Sequence, residues 1–370
     1  MKQRLLAIDV LRGMTIAFMI LVNNPGSWSH VYAPLLHAKW HGCTPTDLVF
    51  PFFIFTIGLS MAFSLGKNSS KSSSFLLAKA LKRAGLIVLV GFLLNWFPFY
   101  DRSPFEVRVF GVLQRIGMAY AVGATLVILI KNELVLAGTS AGSLLLYWAL
   151  QTYLGDYSLP DNVNRAADLA ILPESVLYSG FGIPFDPEGW LGALSAGAHI
   201  IIGYLIGRRL YRVVKTESGF SFDRLRGFLP GLLLIGIMLT ALGWLWSSAG
   251  YPINKPIWTG SYVLYTAGLA TILLSALLYV LDVLKARSWA FPFRVFGLNP
   301  LAAFVLSGLI AKTLYRIEID GSSVTSLLYK SGLQPIFGDK PASLIQALLM
   351  VGLIYLIAWG LYSRRIIVKL

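Results

Sequence analysis

The sequence predicts an all-α polytopic membrane protein, a bundle of about ten transmembrane helices with both termini cytoplasmic. Residues 1–370 form one transmembrane domain with no separate soluble domain. Three observations predict it. Of 370 residues, 56% are hydrophobic and 13% charged, with mean hydropathy +0.69, whereas a soluble domain carries about 25% charge. Apolar stretches long enough to cross a hydrocarbon layer of about 30 Å recur along the chain. The 31 Lys and Arg outnumber 17 Asp and Glu, and they collect in alternate connections between those stretches.

The first stretch, 5–22, stays as a span because Asp9 and Arg12 interrupt it and no small-residue cleavage site follows promptly. Next come 46–65, entered through Pro45 and Pro51, then 76–96, 110–130 and 134–154. The remaining five run 190–206, 228–248, 261–281, 295–311 and 344–362. Basic residues such as Lys2, Arg4, Lys82, Arg83, Arg208, Arg209, Arg364, Arg365 and Lys369 fall in one set of connections. That set faces the cytoplasm. The excess positive charge is therefore explained by topology, and nucleic-acid binding is not needed to account for it.

Two connections on the opposite side are long, 23–45 and 155–189, and long loops in compact domains are often functional. The second is acidic, with Asp156, Asp161, Asp168, Glu174, Asp186 and Glu188 against Arg165 alone. No repeat at a fixed period is evident, and no inverted repeat. The single cysteine, Cys43, excludes a disulfide within the chain and any cysteine-rich metal cluster.

Chemistry concentrates in three places. His30, His37 and His41 lie in the first long connection, and histidine exchanges protons near neutral pH. His37 has the best company, since Asn23 and Asn24 precede it, Trp40 and Asp47 can shape a pocket, and Thr44 or Thr46 can cap the following helix. A zinc site built from His37, His41 and Asp47 is the competing reading, but Gly42 and two prolines nearby argue for a loop that would not align the pair.

Asp9 and Arg12 share a helix face inside the first span, where charge is costly. They form either a structural ion pair or part of an anion site at the inner face, which Arg294, Asn299 in GLNP and Arg115 in GVLQRIG can join. Arg115 lies nearer the outer end of its helix, closer to the reacting centre. In NKPIWTGSYVLYT, Asn254, Lys255, Trp258 and Tyr262 combine hydrogen-bonding groups with flat aromatic faces on which a sugar can stack. An interfacial aromatic belt is the alternative.

At these residues the sequence resembles the catalytic membrane domain of the heparan-alpha-glucosaminide N-acetyltransferase family, including bacterial relatives associated with N-acetylglucosamine use. The resembling segments are DVLRG, VNNPGSW, LLHAKWHGCTPTDLVFPFF, GVLQRIG, FDPEGWLG, NKPIWTGSYVLYTAG and GLNP. The resemblance implies a catalytic pair of His37 and Asn23, with Asn24 the alternative for the second position. It implies acetyl-CoA as donor from the cytoplasm, no metal, and acetylation of a glucosamine-type amine on the periplasmic side of a bacterial inner membrane. Asp9, Arg12, Arg115, Arg294 and Asn299 are then expected at the donor, and Trp40, Asp47, Asn254, Lys255, Trp258 and Tyr262 at the acceptor. The resemblance also implies a homodimer in membrane lipid. The animal enzyme's extra luminal domain and additional span have no counterpart here. Direct transfer competes with an acetyl-histidine route, and two rivals stand beside the transferase reading: a permease for amino sugars or muropeptide fragments, and an O-acyltransferase.

Overall fold

The computed structural model describes residues 5–67, 71–216, 219–220 and 224–368. The basic residues Lys2, Arg4 and Lys369 lie outside the described residues. The long helices are α1 (Leu6–Asn23), α2 (Val49–Lys67), α3 (Ser73–Trp96), α4 (Val112–Leu129) and α5 (Glu133–Tyr153). After the short α6 (Val163–Leu169) come α7 (Ala193–Val214), α8 (Leu225–Ser248) and α9 (Gly260–Leu277). Then follow α10 (Phe291–Leu298), α11 (Pro300–Arg316), α12 (Val324–Leu327), α13 (Gln334–Phe337) and α14 (Asp339–Ser363). Short 3-10 and π-helical segments and two hairpins of two-residue strands lie between them.

Helix occupies every stretch expected to span. Among the described residues seven of these helices are long and apolar enough to cross a membrane, or eight if a bent pair counts as one. The difference from about ten has physical causes. Helix α3 carries Lys79, Lys82 and Arg83, and α7 carries Arg208, Arg209 and Arg212, which dilute their apolar length. The expected ninth span is not one straight helix, because the segments on either side of Asn299 meet at 77°. Pro300 opens α11 without an N–H to continue α10.

Caps fix several helix starts. The Ser72 hydroxyl accepts from Phe75 N, the Asn132 side chain from Leu134 and Val135 N, and the Thr259 hydroxyl from Tyr262 N. Small residues let helices touch at the backbone. A Cβ on Gly297 would lie 1.9 Å from the Asp9 carbonyl oxygen, and one on Gly13 would lie 1.7 Å from that of Phe293. Helices α1 and α10 therefore cross in direct contact.

The bundle has two distinct ends. At one, the amides of Leu6 and Ala7 donate to Asp282, and Asn299 holds residues 366–368. The first turn of α1 and the C-terminal segment thus lie at the same end. At the other end, Gly26 N donates to the Ser343 carbonyl and Gly42 N to the Ile253 carbonyl. There the connections 24–48, 154–192 and 249–259 come together.

Candidate active site

The segment before α2 is built around one carboxylate. Thr44 caps the 3-10 turn Pro45–Leu48, with proline in its first turn and Asp47 closing a capping box. Asp47 Oδ2 accepts from Ala38 N, Thr44 N and the Thr44 hydroxyl, each at 3.0 Å. Its other oxygen, Oδ1, lies 2.6 Å from His37 Nδ1. The Tyr262 hydroxyl donates to the Asp47 backbone carbonyl at 2.6 Å, tying α9 to this turn. The carboxylate is buried at 1% side-chain exposure, while the His37 ring is 49% exposed. Asp47 thus orients His37 from behind, with one oxygen on the ring and the other held by the loop. Both oxygens of Asp47, a residue expected at the acceptor, therefore have partners within the fold.

Lys255 completes the group. Its Nζ lies 3.0 Å from His37 Nδ1 and 3.2 Å from Nε2, and 3.6 Å from Asp47 Oδ1. Burial lowers the Lys255 pKa from the ordinary lysine range, against the opposing pull of Asp47 and Glu188. The arrangement brings an exposed imidazole, a carboxylate and an amine with a facilitated neutral form into mutual contact.

The loop that carries Lys255 is fixed locally. Asn254 Oδ1 accepts from Ile257 N at 3.0 Å, and its amide nitrogen lies 3.3 Å from His41 Nδ1. Opposite it, Gly42 sits at φ +112°, a conformation that a side chain would strain. Burial lowers the His41 pKa, against the influence of Asp156.

The aromatic residues differ from expectation. Trp258 is 1% and Tyr262 0% exposed. Trp258 meets Phe50 and Tyr262 edge to face, with centroids 4.9 and 5.2 Å away. Neither ring offers a face on which a sugar could stack, because both are consumed in packing the start of α9. Trp40 donates its indole N–H to the Tyr157 carbonyl at 3.0 Å and packs against Phe181 and Phe185. It joins the two long connections to each other.

The three loop histidines do not gather into one cluster. His30 turns to Tyr329, 3.0 Å from its hydroxyl, and to Asp339. Among the described residues no group of three His, Cys, Asp or Glu side chains could hold a metal ion. Asn23 ends α1 exposed, and its side chain makes no hydrogen bond among the described residues. Asn24 instead donates its amide to the Ile20 carbonyl at 2.7 Å. Of the two, Asn23 has the amide at liberty to meet a ligand.

At the opposite end, Arg12 donates to Asp9 Oδ1 at 3.4 Å, to the Gly297 carbonyl at 3.0 Å and to the Ser60 hydroxyl. Asn299 is 1% exposed and spends both polar atoms on the C-terminal segment, donating to the Ile366 carbonyl and accepting from Val368 N. The Arg294 guanidinium lies 5.9 Å from the Tyr362 ring centroid. These residues gather around the break between α10 and α11. Arg115 does not join them. It is 2% exposed, donates to the Pro187 and Gly189 carbonyls at 2.9 Å and lies over the Trp258 ring. It therefore belongs to the His37 end of the bundle, anchoring the second long connection.

Residues that sequence reasoning passed over hold that connection down. Arg108 donates to Asp186 at 2.8 and 2.7 Å and to Glu188 at 2.5 Å. Asp168 is fully buried and accepts from Trp190 N at 3.1 Å, and burial pushes its pKa up to about 7. The clustering of acids in 155–189 was the visible signal, but not which of them turn inward.

The sequence is similar to those of known proteins. The family described as heparan-alpha-glucosaminide N-acetyltransferase, catalytic, matches residues 4–172. Human heparan-alpha-glucosaminide N-acetyltransferase is 28% identical over 358 residues, covering 82% of this chain and 52% of that protein. The mouse protein of the same name is 28% identical over 359 residues, covering 82% and 53%. The chain spans about half the length of these curated relatives. The resemblance read from the motifs therefore holds, and the matched family region contains His37, Asp47, Asn23, Arg12 and Arg115.

Proposed function

From its similarity to the catalytic region of the heparan-alpha-glucosaminide N-acetyltransferases, we propose that this chain is a membrane-embedded acetyltransferase. It moves an acetyl group from acetyl-CoA to the amine of a glucosamine-type sugar. The observation that carries the reading is the exposed His37 ring backed by buried Asp47 at 2.6 Å. A carboxylate on Nδ1 fixes the tautomer that leaves Nε2 as the base, as in other base and orienter pairs.

In the reaction the amine nitrogen attacks the acetyl carbon and the C–S bond of the thioester breaks. His37 takes the proton that the nitrogen sheds, and the departing CoA thiolate takes up a proton to leave as the thiol. Lys255, at 3.0 Å from the ring, supplies a second group through which protons can pass. Asn23 offers an amide donor to the thioester oxygen as negative charge grows there.

The donor enters from the cytoplasmic end, with its phosphates near Arg12 and Arg294 and its pantetheine arm running along α1. Arg12 and Asn23 are eleven residues apart on that helix, about 16 Å at 1.5 Å per residue, which an extended arm covers. Asp9 holds Arg12, and Asn299 braces the C-terminal segment beside it. On this reading the protein is a homodimer in a bacterial inner membrane with its acceptor site in the periplasm.

The test incubates purified protein with labelled acetyl-CoA and glucosamine and looks for N-acetylglucosamine. Wild type is expected to form it and His37→Ala to form almost none. Absence of product from the wild type refutes the reading.

A further inference from the structure

Where α3 and α11 end beside the 97–108 connection, the structure holds a cavity of about 300 Å³ whose lining does not include His37. Its lining includes Trp96, Phe97, Arg102, Arg108, Lys312 and Arg316. Arg316 is paired with Asp101, and Arg108 with Asp186 and Glu188. Lys312 has no carboxylate among the described residues and donates to the Leu94 and Asn95 carbonyls that end α3. Arg102 is exposed and its side chain has no partner among the described residues. The cavity therefore keeps cationic donors that the fold does not neutralise.

Its surroundings have the profile of a membrane interface. On α3, Leu89 and Leu93 are exposed one turn apart and lead toward the cavity. Close in the chain to its lining residues, Phe99, Tyr100, Phe105 and Tyr315 are exposed, at 46, 81, 87 and 71%. Apolar helix face, aromatic residues and basic pocket follow one another in the order of acyl chain, interface and headgroup in a bilayer leaflet.

We propose that this cavity binds the phosphodiester of an anionic glycerophospholipid, with Arg102 and Lys312 at the phosphate and the acyl chains along Leu89 and Leu93. The phosphate is the shared chemistry of a lipid headgroup and of a soluble phosphoryl compound, and the exposed apolar track favours the lipid. The inference does not depend on the acetyl-transfer reading, since none of these residues takes part in it.

The test uses the intact protein in detergent. Native mass spectrometry counts retained phospholipid, and thermal melting is followed while phosphatidylglycerol or glycerol 3-phosphate is added. Wild type is expected to retain phospholipid and to melt higher with phosphatidylglycerol. Arg102→Glu, at an exposed position without a structural partner, is expected to bind it about 25-fold more weakly, because the charge changes by two at about fivefold for each interfacial charge. Arg102→Lys should restore most of the binding. A stabilisation by glycerol 3-phosphate equal to that by the lipid would overturn the lipid assignment in favour of a soluble ligand. Equal lipid retention and equal melting shifts in wild type and Arg102→Glu would overturn the site.

Discussion

His37 and Asp47, ten positions apart, meet at 2.6 Å between Nδ1 and Oδ1, with the carboxylate sealed in the fold and the ring open to the outside. The contact exists because Asp47 has a second duty in the same turn, capping it through Thr44 and Ala38. A general base contributes roughly 100-fold to 10,000-fold, so His37→Ala should lower kcat for acetyl transfer by at least about 100-fold. Asp47→Asn should lower kcat by a smaller factor with little change in KM for acetyl-CoA. Steady-state kinetics in detergent measure both, and wild-type turnover in His37→Ala would remove the base assignment.

Lys255 should be unusually reactive. Burial holds its pKa below the ordinary lysine range while Asp47 pulls it back up, so the neutral amine is more populated than in an exposed lysine. An amine-directed acylating reagent at limiting dose near pH 8 should modify Lys255 ahead of exposed lysines such as Lys39. Asp47→Asn removes the opposing carboxylate, lowers the pKa further and should speed the labelling. Peptide mass spectrometry reads the order of modification. Slower labelling in Asp47→Asn would show that the carboxylate does not act on Lys255 in the sense described.

Much of this was legible in the chain because membrane helices announce themselves by composition. Helix occupies each apolar stretch, local spacing narrows the cap before α2 to Thr44 or Thr46, and it brings Asp9 and Arg12 onto one helix face. What depended on tertiary packing was not legible. Nothing local distinguishes Trp258 as a buried wall from Trp258 as an open platform, and Arg115 reads the same whether it faces a ligand or the Pro187 carbonyl. The break at Asn299 was foreshadowed by Pro300, but its size depends on how α10 lies against α1.

That contact gives a stability prediction. A Cβ on Gly297 would stand 1.9 Å from the Asp9 carbonyl oxygen, which is backbone and cannot step aside. Overpacking of a close interface costs about 1–3 kcal/mol or more. Gly297→Ala should therefore melt well below wild type, and Gly352→Ala, where a Cβ meets nothing within 4 Å, should not. Equal melting temperatures for the two variants would mean that α1 and α10 are not in backbone contact. Because Gly297 also offers its carbonyl to Arg12, the same variant should weaken acetyl-CoA binding at the proposed inner end.

Asp168 makes stability depend on pH in a definite direction. Its carboxyl is buried and titrates at about 7 rather than near 3.8, chiefly through desolvation. Between those values the unfolded chain releases the proton while the folded chain keeps it. Stability from this group is thus fully present at low pH, falls as pH rises from about 4 to about 7, and stays reduced above that. Asp168→Asn keeps the acceptor for Trp190 N and removes the titration. The variant's advantage over wild type should be small near pH 5, where the folded carboxyl is still protonated, and larger at pH 8, the widening on the order of a few kcal/mol. Melting curves across that range decide it, and a variant whose difference from wild type is the same at both pH values would mean that Asp168 is ionised in the folded protein throughout.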